Sequence, residues 1–310
     1  MTEEKIVVGN GSEFPLNGLL TIPEGGSAPY PAVVFVHGSG ASDRDSHVFA
    51  VRPFKDLAEG LAKRGVASVR YDKRTFAHVK KIKKFVKDIT AKEETIEDAV
   101  LAANILRKNP RIDPSRVYCA GISMGGMLAP RIDAEGGDFA VLIMMAAPAR
   151  SLDEVLIAQM KEAMEGAKFP MKLLIKLQAK KLIPILENLH HMSDEEAKST
   201  LVMGGRASAF YFKEIAQKPV GEYLANMKKP ILVIQGNGDV QVRAEIEFEA
   251  YKRMMQHHPK AAFKLYPGLN HVFMPVVYGD INRVKEEYSK PQNVADYVIG
   301  DIAEWIHRQA

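Results

Sequence analysis

Cysteine is almost missing from this 310-residue chain, where Cys119 stands alone. One thiol cannot close an intramolecular disulfide, so a reducing compartment is expected. A lone cysteine also cannot anchor a thiolate metal set, so no metal is expected around it. Its setting in the apolar run RVYCA predicts a buried structural thiol. An excess of one charge is equally absent. The 42 basic residues are nearly balanced by 38 acidic ones, for a formal charge of +4, and they are spread along the chain. That pattern argues against a nucleic-acid partner. The densest basic stretch, HVKKIKKFVK at 78–87, reads as a solvated surface segment. No apolar run approaches the ~20 residues that span a bilayer. The first residues, MTEEKIVVGN, are acidic and lack the apolar core of a secretory signal. The expectation is a cytoplasmic protein with no membrane partner, its oligomeric state not readable. Repeats and low-complexity linkers are missing too.

What is present is a rhythm of short apolar runs. AVVFV (32–36), VASVRY (66–71), RVYCA (116–120), AVLIMMA (140–146), ILVIQ (231–235) and AFKLY (262–266) are mostly apolar at consecutive positions. Strands buried on both faces of a parallel sheet read that way. Helical patterns lie between them. FKDLAEGLAKRG carries Phe54, Leu57, Ala58 and Leu61 on one stripe and ends at Gly65. Thr90 and Glu93 have capping-box spacing ahead of Ile96, Val100 and Ala103, with Pro110 past the end. RAEIEFEAYKRMMQHHP and VADYVIGDIAEWIHRQ complete the set. Alternating strands and helices predict a doubly wound α/β sheet. The N-terminal segment KIVVGNGSEFPLNGLLTIPEG predicts antiparallel strands added to its edge. Between 150 and 225 strand signals vanish. Three stretches there read as helices, SLDEVLIAQMKEAMEG, PMKLLIKLQAKKLIPILENLHHM (kinked or divided at Pro184) and SDEEAKSTLVMGG.

Chemistry concentrates at YCAGISMGGM, residues 118–127. Gly121-Ile122-Ser123-Met124-Gly125 fits G-x-S-x-G, with a strand leading in and a helix-compatible segment leading out, the setting of a nucleophile elbow. Side chains at 121 and 125 would strike neighbouring backbone. Pro130 should kink the helix that follows. A serine hydroxyl needs a base. His271, in AFKLYPGLNHVF, follows the last strand, and reactive groups gather at strand carboxyl ends in this topology. His190-His191 and His257-His258 read as surface pairs. Asp239, in ILVIQGNGDVQV, follows the penultimate strand and can orient the imidazole. Asp280 and Asp301 lie too late in the chain. The order Ser123, Asp239, His271 is that of an α/β-hydrolase. The loop HGSG after AVVFV would supply the Ser39 N–H to an oxyanion hole, beside that of Met124. His37 then positions that loop at the substrate; a rival reading makes His37 the base.

These segments, HGSGASDRD, GVASVRYDKR, GISMGG, ILVIQGNGDVQV and LYPGLNHVF, resemble α/β-hydrolase-fold serine esterases, of the bacterial carboxylesterase group with cinnamoyl/feruloyl esterase-like and acyl-peptidase-like members. The likeness covers 31–150 and 226–310. It implies a core of 1–149 and 226–310 with a helical cap at 150–225, and places SDRD (42–45) and YDKR (71–74) beside the site, where they also read as a salt-bridged loop cluster. It implies hydrolysis of small to medium acyl or aromatic esters through an acyl-enzyme, with no metal or organic cofactor needed. A peptidase or thioesterase on the same triad, and a non-catalytic receptor, are the alternatives. Met160, Met164, Phe169, Phe210, Tyr211 and Phe212 are expected to offer apolar surface to the substrate, the last three most directly.

Overall fold

The computed structural model describes residues 1–26 and 28–309. Within them eight strands form one sheet in the order β1-β2-β4-β3-β5-β6-β9-β10. These are β1 (Thr2–Val8), β2 (Leu16–Ile22), β3 (Tyr30–Val36), β4 (Ala67–Tyr71), β5 (Ile112–Ile122), β6 (Val141–Met145), β9 (Ile231–Gly236) and β10 (Ala261–Tyr266). β1 and β2 are antiparallel, as expected of the N-terminal segment, and β2 joins β4 antiparallel; the remaining pairs are parallel. The fold is that of an α/β-hydrolase.

Consecutive apolar residues in a strand feed opposite faces. In β3, Val34 and Val36 join one buried cluster with the helices Glu97–Arg107, Met124–Ile132 and Ala244–Met254. Val33 and Phe35 join the other, with Pro53–Ala62 and Asp296–His307. Cys119 is fully buried in β5, and burial pushes its thiol far above the usual range, which leaves it inert.

The stretch between β6 and β9 holds the helices Leu152–Gly166, Met171–Glu187, Asp194–Ser199, Ala209–Ala216 and Val220–Ala225. The long helix Met171–Glu187 runs through Pro184 instead of dividing, and Met124–Ile132 likewise runs through Pro130. The expected helix SDEEAKSTLVMGG is cut short at Ser199. A two-stranded hairpin follows, β7 (Leu201–Val202) and β8 (Ala207–Ser208). Met203, Gly204 and Gly205 all take positive φ there, a tight turn that helix cannot continue through. The start of the insertion is pinned by buried Glu247, whose carboxylate accepts the Ala149 and Arg150 N–H groups at 2.8 and 3.1 Å. Among the described residues no helix is long and apolar enough to cross a membrane.

The segments SDRD and YDKR do form crossed ion pairs. Arg44 grips Asp72 through two bonds of 3.0 and 3.1 Å, and Arg70 reaches Asp45 at 2.9 Å. His37, expected at the substrate, lies beneath this cluster with 1% of its surface exposed. Its ring packs on Phe54, and Nε2 donates to the Tyr71 carbonyl at 2.6 Å. At that exposure it offers no face to a ligand, and its buried Nδ1 has no partner among the described residues. Burial, with Lys73 adding repulsion against the carbonyl bond, lowers its pKa to about 3. The unfolded chain therefore takes up a proton near pH 6.5 that the folded one refuses. Stability from His37 is complete above that pH and falls as pH drops toward 3. Between pH 7 and pH 5 the wild type should lose about 2 kcal/mol more than His37→Gln, measured by urea denaturation. Equal losses would show that this imidazole is not held neutral by burial.

Candidate active site

Ser123 sits at the sharp turn between β5 and the helix Met124–Ile132, with φ 55° and ψ −125°. Non-glycine residues rarely occupy that region, and it persists only where surroundings enforce it. Here the Ser123 N–H donates to Met145 O at 2.8 Å, and Ser123 O accepts from Met127 N at 3.0 Å. A Cβ at Gly121 would meet Gly125 O at 2.1 Å, and one at Gly125 would meet Val36 O at 2.3 Å. The two glycines are steric necessities, as the motif implies. The sheet also turns around at this point. β3 has β4 on one side and β5 on the other, so the connections diverge and open a crevice at their carboxyl ends.

Asp239 follows β9 and is buried. Its Oδ1 accepts the N–H groups of Gln241 and Val242 at 2.8 and 2.9 Å. Its Oδ2 accepts Gln235 Nε2 at 2.8 Å and His271 Nδ1 at 2.7 Å. With Nδ1 carrying the proton, Nε2 of His271 is left as the basic nitrogen. Glycine at 236 lets the two loops meet, since a Cβ there would lie 2.3 Å from Leu269 O. The His271 loop is shaped by Asn270, which sequence reasoning overlooks. Asn270 Oδ1 accepts Val272 N and Met274 N, both at 3.1 Å, and its Nδ2 donates to Glu287 at 2.8 Å. The signal was an Asx-turn residue directly before the histidine. Ser123 Oγ has no hydrogen-bond partner among the described residues. In unliganded sites of this type that bond is often long and closes with substrate.

The loop after β3 approaches the serine closely. A Cβ at Gly38 would stand 3.2 Å from Ser123 Cβ. Ser39 lines the same cavity as Ser123, and Met124 opens the following helix, where the first N–H groups have no intrahelical acceptor. Below the loop runs a chain of polar contacts. Buried Lys73 donates to Gly38 O at 2.8 Å and pairs with Glu94 at 3.3 Å. Glu94 accepts the Tyr211 hydroxyl at 2.5 Å, and that hydroxyl lies 3.2 Å from Met124 Sδ.

The cavity over Ser123 measures about 720 Å³. Leu152, Val155, Leu156, Tyr211 and Phe212 of the insertion form one wall, and Val79, Ile82, Val86 and Ile89 form another. Of the three successive aromatics, Tyr211 and Phe212 line the cavity and Phe210 does not. Its ring is turned out of the cavity under the Lys198 ammonium, 4.9 Å away. Adjacent residues on a helix diverge by about 100°, so three successive aromatics cannot share one wall. Met160 and Met164 are outside the lining, and Phe169 is a surface residue. The basic stretch 78–87 is more than a solvated face. Its lysines are exposed or half-exposed, while Val79, Ile82 and Val86, at three- and four-residue spacing, line the cavity. Among the described residues no group of three or more His, Cys, Asp or Glu gathers as a metal site.

Residues 27–275 match the family described as serine aminopeptidase, S33. Esterase EstD of Thermotoga maritima is 35% identical over 304 residues, covering 98% of this chain and 67% of that one. Among solved structures, Est1E from Butyrivibrio proteoclasticus superposes with a TM-score of 0.60 at 18% identity, covering 98% of each chain. A proline iminopeptidase from Mycobacterium smegmatis gives 0.59 at 16% identity, covering 99% of this chain and 98% of that one. At those identities the structural likeness speaks for the fold alone. The family match over most of the chain, with the EstD relationship along nearly all of it, means that this chain belongs to the serine aminopeptidase S33 family of α/β-fold hydrolases.

Proposed function

We propose that this chain is a carboxylesterase-type serine hydrolase acting through an acyl-enzyme. The observation that carries the reading is the 2.7 Å contact of His271 Nδ1 with buried Asp239, in a chain whose elbow serine opens on a large apolar cavity. In the proposed reaction His271 Nε2 takes the Ser123 proton as Oγ bonds to the ester carbonyl carbon. The oxyanion is held by the Ser39 and Met124 N–H groups, positioned before reaction so that little reorganisation is needed. Collapse breaks the ester C–O bond, and the proton on His271 goes to the leaving alcohol. Water then attacks the acyl-enzyme with His271 as base, and Ser123 regains its proton as the acid leaves. Asp239 remains ionised and fixes the imidazole tautomer.

The insertion serves, in this reading, as a cap whose wall selects the acyl or aromatic group. An aminopeptidase would need a carboxylate free to receive the substrate ammonium. Glu94 is the one carboxylate in the described cavity lining, and it is engaged by Lys73 and Tyr211. That favours esters over N-terminal peptides, and p-nitrophenyl esters should turn over far faster than aminoacyl anilides.

Ser123→Ala should lower kcat by about 10⁶ and Asp239→Asn by about 10⁴. A fluorophosphonate should label the wild type stoichiometrically at Ser123. Label on another residue, or normal turnover by either variant, would overturn the assignment. The cavity wall gives a second expectation. Phe212→Ala should shift the ratio of kcat/KM for long over short acyl esters by about tenfold, whereas Phe210→Ala should leave it unchanged. A shift with Phe210→Ala alone would mean that the wall is elsewhere.

A further inference from the structure

The helix Met171–Glu187 is packed on one side only. Ala179 and Leu186 are buried, and Ile175 and Leu182 half-buried, where it lies against the helix Leu152–Gly166. At about 100° per residue, Leu173, Leu174 and Leu177 fall on the opposite side. They are 52%, 50% and 53% exposed, and Phe169 just ahead of the helix is 83% exposed. One seam between these two apolar faces carries Lys172, Lys176 and Lys180, and Lys181 falls among the exposed leucines. With Lys168 they make five lysines and no acid between Ala167 and Leu186. None of the five is in an ion pair among the described residues. We propose that this helix docks the protein on an anionic lipid surface. Leu173, Leu174, Leu177 and Phe169 enter the acyl boundary while the lysines extend to the headgroups. A second copy of the chain fits the face poorly, because a two-fold contact would set these unpaired lysines against one another. The helix it leans on also lends Leu152, Val155 and Leu156 to the cavity wall, so a docked protein would hold its cavity near lipid-dissolved material. The test is flotation of the full chain with vesicles of phosphatidylcholine alone or mixed with phosphatidylglycerol. Wild type should float with the mixed vesicles only and be released by high salt. Lys176→Gln should weaken partition about fivefold, and Leu173→Ser/Leu177→Ser by tenfold or more, with hydrolysis of a soluble ester unchanged. No flotation of the wild type, or flotation unaffected by the variants, overturns the proposal. So does a dimer in sedimentation that the leucine variant dissociates, which would assign the face to a second copy.

A separate observation concerns Lys73. The Gly38 carbonyl and the Ser39 N–H belong to one planar trans peptide and point in opposite directions. A group that fixes the carbonyl therefore fixes where the N–H aims. Lys73 Nζ does so from 2.8 Å, held in turn by Glu94 and, through Glu94, by Tyr211. An ammonium on the carbonyl oxygen also polarises the peptide and strengthens its N–H as a donor. We infer that Lys73 is a positioning residue for the oxyanion hole, stabilised by the Glu94–Tyr211 pair, which rests on the ester-hydrolysis reading above. Lys73→Met should lower kcat on p-nitrophenyl esters about 10- to 100-fold with little change in KM. Binding of a boronate or trifluoromethyl ketone, which develop the anionic tetrahedral centre, should weaken in proportion, while a non-reactive substrate analogue binds as before. The double variant Lys73→Met/Glu94→Gln removes the orphaned carboxylate and should behave alike if the single variant folds poorly. Unchanged kcat, or an equal loss of analogue binding, overturns the inference. Failure of the fluorophosphonate to label wild-type Ser123 would instead overturn the ester reading itself.

Discussion

The arrangement depends on one crossing where a β-carbon has no room. At Gly125 the start of the helix after β5 passes so close to the end of β3 that a side chain would overlap the Val36 and His37 carbonyls, at 2.3 and 2.6 Å. That crowding forces Ser123 into its strained turn, and the bond from its N–H to Met145 O holds it there. The same crossing brings the Gly38–Ser39 peptide beside Ser123. One steric constraint thus sets the serine, the loop after β3 and the mouth of the crevice at once. Strain at the site is sustained by close packing around it, which is the usual way such conformations survive.

A second requirement is that buried charge be satisfied without a matching cation. Asp239 accepts two backbone N–H groups, a glutamine amide and an imidazole, and these four donors use its acceptor capacity. Glu287 follows the same rule, gathering the Val277 and Tyr278 N–H groups and the Asn270 amide, while Glu247 adds the Arg150 guanidinium to the Ala149 and Arg150 N–H groups. Such carboxylates act as fasteners between strand-end loops. Each fixes a loop that carries or adjoins a residue of the candidate site, with geometry set by hydrogen bonds.

The sheet, the elbow and the acid–histidine loops are legible in sequence because each depends on a short-range pattern. Consecutive apolar residues mark doubly buried strands, and glycines mark close backbone approach. Asp239 and His271 are found by their place after strands. The cavity wall is not legible in this way. Phe210, Tyr211 and Phe212 look equivalent in sequence, yet helix rotation turns the first away. His37 follows a strand as a site residue should, but the Tyr71 carbonyl one strand over claims its Nε2. The hairpin at Met203–Arg206 escapes notice because its strands are two residues each and their alternation is too short to register. Lys73 and Glu94, far apart in the chain, acquire their meaning only when β4 and the segment before the helix Glu97–Arg107 meet.

The insertion is less separate than its place in the chain suggests. Leu186, Leu189, Ala197, Val202, Phe212, Ile215 and Leu224 belong to the same buried cluster as Val34, Cys119 and Met144 of the sheet. Several polar contacts cross to it, among them Gln159 Nε2 to Gln241 O at 2.7 Å and Lys198 to Asp88 at 2.9 Å. Arg131 meets Glu214 through two bonds, and Tyr211 reaches Glu94. A buried ion pair adds little stability over an apolar pair of similar volume, but losing one partner is costly, so such pairs act chiefly on register. Apolar burial then supplies the hold, and Arg131–Glu214 with Tyr211–Glu94 selects which rotation of the helix Ala209–Ala216 is kept. That rotation is what turns Tyr211 and Phe212 into the cavity and Phe210 out of it. The wall facing Ser123 is therefore decided by one ion pair and one hydrogen bond to the core, at positions other than the serine and the acid–histidine pair.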